Sequence, residues 1–295
     1  MNIKRISLFA LGASALAAVL RTVQFLAFFD SGTGFFRDNG LISIVALTAV
    51  FLVPLIAFLV AAVKKTLYGR VKFHRNIPVG LLTLLCAGLL AFGVKLLHGE
   101  YMEQSRDMAV TAMGISFRGP FMWISVAMIA FMLVSAIAWI SGKALFQHAK
   151  FLCLISVAWA LSLILYVFIH YSISVLTTEN IFIIILACAA AMAFMAQARF
   201  FSDLNPQGKS LRLLVPASLT AAAMMCSYAV SGIIIRFADI HPKYEVSMSL
   251  EVIILSVGIY MFLVLVALDY LPLAVPSKLK APEGKRYKVD IKREL

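Results

Sequence analysis

Apolar residues dominate the chain in eight long runs, which short polar segments separate. Each run reaches about 20 residues, the length that an α-helix needs to cross the hydrocarbon core of a bilayer. Open sheet edges fail in lipid, and the sequence has no short alternating strands that could close a barrel. The pattern predicts an all-α, polytopic integral membrane protein with eight transmembrane helices, at residues 6–29, 41–63, 77–97, 120–141, 151–174, 180–200, 212–235 and 248–271.

The basic residues between these spans predict how the chain is oriented. With the N-terminus inside the cell, 19 of the 26 Lys and Arg residues fall on the cytoplasmic face and five on the opposite face. Short cytoplasmic loops carry such an excess of Lys and Arg. We therefore expect both termini to be cytoplasmic and the protein to lie in the plasma membrane.

The two ends of the chain carry separate expectations. The basic start MNIKR and the apolar residues after it are similar to a signal peptide, but the apolar run continues to Phe29, which favours an uncleaved first span. Residues 1–276 are then an eight-helix transmembrane domain, and residues 277–295 are a basic cytoplasmic tail. The tail is expected to anchor on anionic lipid, or alternatively to bind a protein partner.

Composition supports the membrane class and limits the partners. The chain is 62% hydrophobic and 14% charged, and its formal net charge is +12. Soluble globular proteins have about 45–50% apolar and about 25% charged residues. Because the basic residues lie in short loops and the tail, we expect membrane lipids, with anionic headgroups at the cytoplasmic face, rather than nucleic acid, as partners. A protein partner or a homo-oligomer stays possible.

Known catalytic and cofactor motifs are missing from the sequence. It has no HExxH, no GxSxG and no phosphate-binding loop with its lysine. The four cysteines each fall inside an apolar run, where buried free thiols that pack as small hydrophobes are expected. We therefore predict no metal, no cofactor and no catalytic residue, and an enzymatic role is the less favoured interpretation.

The most informative polar residue is Arg21, which lies inside the first apolar run. At about 1.5 Å per residue it lies roughly 22 Å into a ~30 Å core, in the outer half of the membrane. Gln24 follows at i+3 and shares its helix face. Arginine in hydrocarbon is unfavourable by about 2.5–3.5 kcal/mol on insertion scales, so it usually faces the bundle interior, a partner or water. Three interpretations stay open: an anion-binding pocket, a structural salt bridge with Glu251 or Asp30, and a side chain that reaches the outer headgroups.

Other spans place polar residues at a comparable depth. The hypothetical ligand-binding set on the outer side is Arg21, Gln24, Lys95, Tyr166, His170, Tyr228 and Glu251. In this hypothesis Arg21 holds a carboxylate or phosphate, Gln24 hydrogen-bonds beside it, and Glu251 is the counter-ion of the empty site. Structural roles compete: Lys95 can reach the headgroups, and Glu251 can stabilise the start of its helix.

The run R-T-V-Q-F-L…D-S-G-T-G-F-F, within residues 21–36, resembles a pattern in uncharacterised multi-pass membrane proteins of Gram-positive bacteria. The resemblance implies a bacterial plasma membrane and brings no activity, substrate or cofactor. Locally, Gly32 and Gly34 suit a helix cap and a tight turn, and a re-entrant loop over the site is the alternative.

Three functions compete at this point. The first is a small-molecule transporter or a transport-associated subunit with an outward-facing polar site around Arg21. The second is a non-transporting membrane sensor or an assembly partner of another membrane protein. The third and least favoured is a lipid-modifying membrane enzyme in which His170 and Glu251 act as base and acid.

Overall fold

The computed structural model describes residues 3–29, 75–104, 117–171, 177–202, 210–237 and 247–269, with five single residues between 41 and 56. Seven helices in these ranges are long and apolar enough to cross a membrane. They indicate a multi-pass membrane protein, so the predicted all-helical membrane class is confirmed. The helices are α1 (Ile3–Phe28), α2 (Ile77–Gln104), α3 (Arg118–Ser141), α4 (Cys153–Tyr171), α5 (Thr177–Phe201), α6 (Ser210–Phe237) and α7 (Met248–Asp269).

Some predicted features lie outside the described residues. Of the predicted second span, 41–63, only five residues are described, and all five are helical. The turn at 30–36 and the tail at 277–295 are also outside the described residues. The count of eight spans and the sides of the two termini therefore stay predictions.

Contacts between the helices define two ends of the bundle. The Ser14 hydroxyl on α1 donates to the Ala223 carbonyl on α6 at 3.2 Å, and Arg21 lies against Tyr228 further along both helices, so α1 and α6 run in the same direction. At the end where these two helices finish, Arg236 of α6 meets Glu251 of α7, so α7 runs the other way. We call this end, where α1, α2, α4 and α6 finish, the Arg21 end, and the opposite end the Asn76 end.

The helices α2 to α7 pack against one another in chain order, and α7 closes the set by packing on α2. The first helix, α1, packs on α6 and α7. The last two helices are the most enclosed, whereas α2 presents an exposed apolar face that includes Leu81, Leu85 and Phe92. Such a face suits contact with lipid tails, because these are as apolar as the side chains themselves.

Small residues allow α7 to approach its neighbours closely. A Cβ on Gly93 of α2 would lie 3.3 Å from the Ser249 carbonyl oxygen of α7. A Cβ on Gly258 of α7 would lie 2.9 Å from Met225 Cβ of α6. Helices in lipid associate through close packing, which glycine permits by removing its side chain. These two glycines set α7 between α2 and α6.

Candidate functional site

Arg21 is enclosed by aromatic rings at the Arg21 end of the bundle. Its side chain is only 5% exposed. The guanidinium carbon Cζ lies 4.5 Å from the centroid of the Phe182 ring, 5.3 Å from that of Tyr228 and 5.6 Å from that of Phe25. These rings come from α5, α6 and α1, respectively. Each such cation–π contact is worth about 0.5–2 kcal/mol, depending on how completely it is desolvated. We call Arg21 and these three rings the arginine box.

The sequence of α1 places one wall of this box. Phe25 lies four residues after Arg21 on the same helix face, and Gln24 at i+3 is completely buried beside it. The next ring, Phe29, continues the stripe, with its centroid 5.6 Å from that of Phe25. Because α1 packs on α6 and α7, this stripe faces the bundle and not the surrounding lipid.

The other wall is a pair of stacked rings. Phe182 at the start of α5 and Tyr228 on α6 have centroids 5.5 Å apart and planes inclined by 23°. Tyr228 is completely buried, as is most of α6 around it. The guanidinium therefore lies against rings that neighbouring helices hold in place.

Glu251 lies in the first turn of α7, at the same end of the bundle as the arginine box. Its side chain is fully buried, and its Oε2 lies 3.5 Å from Nε of Arg236, a residue that is one-third exposed. The carboxylate occupies the space above Gly232, where any Cβ would collide with Oε1 and lie 2.7 Å from Cδ. A carboxylate is also stabilised at a helix N-terminus by the helix dipole. Gly232 and the α7 terminus together define the position of this glutamate.

Helix α6 brings Arg21 and Glu251 to one face of the bundle. Tyr228 contacts Arg21, and Gly232, which contacts Glu251, lies four residues later on the same face of α6. Four residues correspond to about 6 Å along a helix. A buried cation and a buried carboxylate thus lie against α6 one turn apart.

The remaining predicted site residues have different environments. Lys95 lies on α2 near the same end, but its side chain is exposed. Tyr166 is buried between α3 and α4, where it stacks on Phe121 at 4.7 Å. His170 belongs to α4, and its side chain lies outside the described part of the structure. The described contacts therefore unite Arg21 with Tyr228, place Gln24 on the same stripe and bring Glu251 close to them.

Two polar features were missed by sequence reasoning. Arg118 lies outside the predicted span at 120–141, but it is the first residue of α3 and is buried. A neutral network also joins α3, α5 and α7: Gln197 Nε2 donates to the Tyr260 hydroxyl at 2.7 Å, and Ser135 Oγ lies 3.1 Å from that hydroxyl. The sequence signal for this network is Gln197, an amide inside an apolar run. Its position does not reveal the partners, because Tyr260 lies 63 residues after Gln197 and 125 residues after Ser135.

The described residues include no cluster of three or more His, Cys, Asp or Glu side chains that could hold a metal ion. Compared with known protein families, curated proteins and solved structures, the chain matches none of them. The function must therefore be argued from the site itself.

Proposed function

We propose that the protein is a plasma-membrane transporter, or a transport-associated subunit, that binds a small anion at the arginine box. One observation carries this proposal: Arg21 is buried among rings from three helices, within a turn of a buried glutamate. Ionisable residues inside membrane helices are rare and usually mark a pathway for a substrate or an ion.

The chemistry of guanidinium favours an anion as the ligand. Aromatic rings attract the cation through their faces, whereas carboxylate and phosphate oxygens bind the N–H groups at its edge. Both kinds of contact can therefore form at one arginine. The rings hold Arg21 in position, and a planar carboxylate is the ligand that its forked donors fit best.

In this proposal the Glu251 carboxylate competes with the entering anion for the positive charge at the Arg21 end. It pairs with Arg236 at 3.5 Å, and its partner is the more exposed of the two. An anion that enters from the Arg21 end meets Arg236 first and the buried arginine afterwards. With the orientation that the basic loops predict, this end faces outward, so the ligand arrives from outside the cell.

Ligand binding can be tested with benzoate, an aromatic carboxylate. We expect benzoate to raise the melting temperature of the purified wild-type protein in detergent, because a ligand that binds only the folded state stabilises it. Arg21→Ala and Arg21→Lys should both lose this shift, since lysine retains the charge but lacks the planar fork. Intrinsic tryptophan fluorescence reports unfolding, because Trp139 and Trp159 are buried.

The matched control is Lys95→Gln, which removes an exposed cation at the same end. This variant should keep the full benzoate shift. Two outcomes would contradict the assignment of Arg21 as the residue that binds the anion. One is that Arg21→Ala keeps the benzoate shift, and the other is that Lys95→Gln loses it while Arg21→Ala does not. Uptake of radiolabelled benzoate into proteoliposomes then separates transport from binding.

The second candidate is a non-transporting sensor or assembly partner. The network of Ser135, Gln197 and Tyr260 favours it, because hydrogen bonds across three helices suit a bundle that keeps one arrangement. Benzoate binding that depends on Arg21, without uptake into proteoliposomes, would favour this second function.

A further inference from the structure

A cavity of about 700 Å³ opens at the Asn76 end, far from the arginine box. Three helices line it: the start of α2, the end of α3 and the end of α7. Its volume falls in the range of about 300–1,000 Å³ that ligand pockets occupy. Since none of its lining residues belongs to the arginine box, it is a second candidate binding site.

The rim of the cavity is fixed by contacts between α2 and α3. The Asn76 backbone N–H donates to the Trp139 carbonyl at 2.8 Å. Beside it, α3 ends at Ser141 and is capped by Gly142, whose φ of 69° is left-handed. A Cβ on Gly142 would lie 2.9 Å from the Arg75 backbone nitrogen. Glycine satisfies both requirements, because it tolerates positive φ and leaves room for the neighbouring chain. The backbone of Arg75 is thereby held at the rim.

The positive charge of the rim comes from Arg75 and not from the N-terminus of α2. The Asn76 side-chain oxygen already accepts the Val79 N–H at 3.2 Å, and Pro78 has no backbone N–H to offer. The Asn76 N–H is used by Trp139. An anion at this rim would therefore bind the exposed guanidinium of Arg75, with the Asn76 side-chain amide beside it.

The walls below the rim are hydrocarbon. Leu82 of α2 and Leu263 and Val266 of α7 line the cavity together with Pro78. A cation above an apolar wall matches an amphiphile that has an anionic head and a hydrocarbon chain. In a membrane the molecules with this chemistry are anionic phospholipids, and basic pockets between transmembrane helices on the cytoplasmic side bind their headgroups.

We propose that this cavity binds an anionic glycerophospholipid, with the phosphate at Arg75 and Asn76 and the start of an acyl chain along Leu82, Leu263 and Val266. The proposal is independent of any transport at the arginine box. It agrees with the predicted orientation, in which most Lys and Arg residues lie at the Asn76 end and attract anionic lipid.

The test compares two lipids on the full-length protein purified in detergent. Phosphatidylglycerol should raise the melting temperature more than phosphatidylcholine with the same acyl chains, because only the first carries net negative charge. Arg75→Gln should abolish this difference between the two lipids. Lys143→Gln is the matched control, since Lys143 is an exposed cation near the same end that does not line the cavity, and it should keep the difference.

Two further measurements distinguish a bound lipid from other ligands of the cavity. Glycerol phosphate carries a phosphate ester without acyl chains, and we expect it to give no shift. Val266→Trp fills the apolar wall, and it should lower the phosphatidylglycerol shift while Arg75 is intact. If glycerol phosphate matches the lipid, the site binds a soluble phosphate ester, which overturns the proposal. The proposal is also overturned if the two lipids raise the melting temperature of the wild type equally. It is likewise overturned if Lys143→Gln reduces the difference between the lipids as much as Arg75→Gln does.

Discussion

The arginine box and the Tyr260 network bury polar groups in opposite ways. In the network, neutral groups bond to one another: the Tyr260 hydroxyl is shared by Gln197 and Ser135. At the Arg21 end, a cation lies against ring faces and a carboxylate lies over a glycine. Neutral groups that satisfy one another need little further support, whereas a buried charge needs neighbours that fit it closely. The comparison separates a neutral network that joins three helices from a charged cluster at which we propose that a ligand binds.

The substitution Gly232→Ala should disturb the charged cluster most. The new methyl group would displace the Glu251 carboxylate from its position beside Arg236. Breaking a fully buried ion pair costs about 3–5 kcal/mol, and the one-third exposure of Arg236 makes about 3 kcal/mol the appropriate end of that range. We expect the free energy of unfolding in detergent to fall by an amount of this order. Denaturant titration followed by tryptophan fluorescence measures it.

A second glycine provides the control for this experiment. A Cβ on Gly88 in the middle of α2 would meet nothing within 4 Å. Alanine in a helix interior is favoured over glycine by about 1 kcal/mol. Gly88→Ala should therefore leave stability unchanged or raise it. Equal stability of the two variants would show that Gly232 does not determine the position of Glu251.

The neutral network should respond less strongly. Tyr260→Phe removes the hydroxyl that pairs with Gln197 and Ser135 and leaves buried polar groups unsatisfied, which costs about 1–3 kcal/mol. Adding Gln197→Leu to this variant removes one of the unsatisfied polar groups. We expect the free energy of unfolding of the double variant to fall by less than the sum of the decreases in the two single variants, as measured by the same titration. Strict additivity would mean that the two side chains are not coupled.

The smallest effect is expected at Lys95, a second cation in an apolar helix at the same end. Its side chain is exposed, whereas that of Arg21 is enclosed by rings. Lys95→Gln should change the free energy of unfolding by no more than about 0.5 kcal/mol, as surface substitutions usually do. A loss as large as that of Gly232→Ala would mean that exposure does not distinguish these positions.

Much of the fold could be predicted from the hydrophobic pattern, because lipid leaves helices as the available structure for long apolar runs. Arg21 was also recognisable, since a cation within such a run is unfavourable unless something compensates it. Gln24 followed from helix geometry alone, because residues three apart share a face.

The partners of these residues could not be predicted in the same way. Tyr228 was predicted to lie at the depth of Arg21, but nothing in the sequence distinguishes Phe182 from the other aromatic residues in apolar runs. The packing of α1 and of α5 on α6 brings both rings to Arg21. The role of Gly232 depends on which helix faces it, and small residues are common at all helix contacts in membranes. The exposure of Lys95 likewise depends on how α2 is rotated in the bundle.

The packing of α1 on α6 has a consequence for how the protein is made. The hydrogen bond from Ser14 to Ala223 joins residues that lie 209 positions apart. At synthesis rates of about 5–20 residues per second, roughly 10–40 s separate the appearance of the two segments. The helix α1 thus emerges from the ribosome, with its arginine, long before Phe182 and Tyr228, two of the three rings that enclose it, are translated. We expect the nascent chain to hold this charge at the lipid headgroups or in the insertion machinery until α6 arrives.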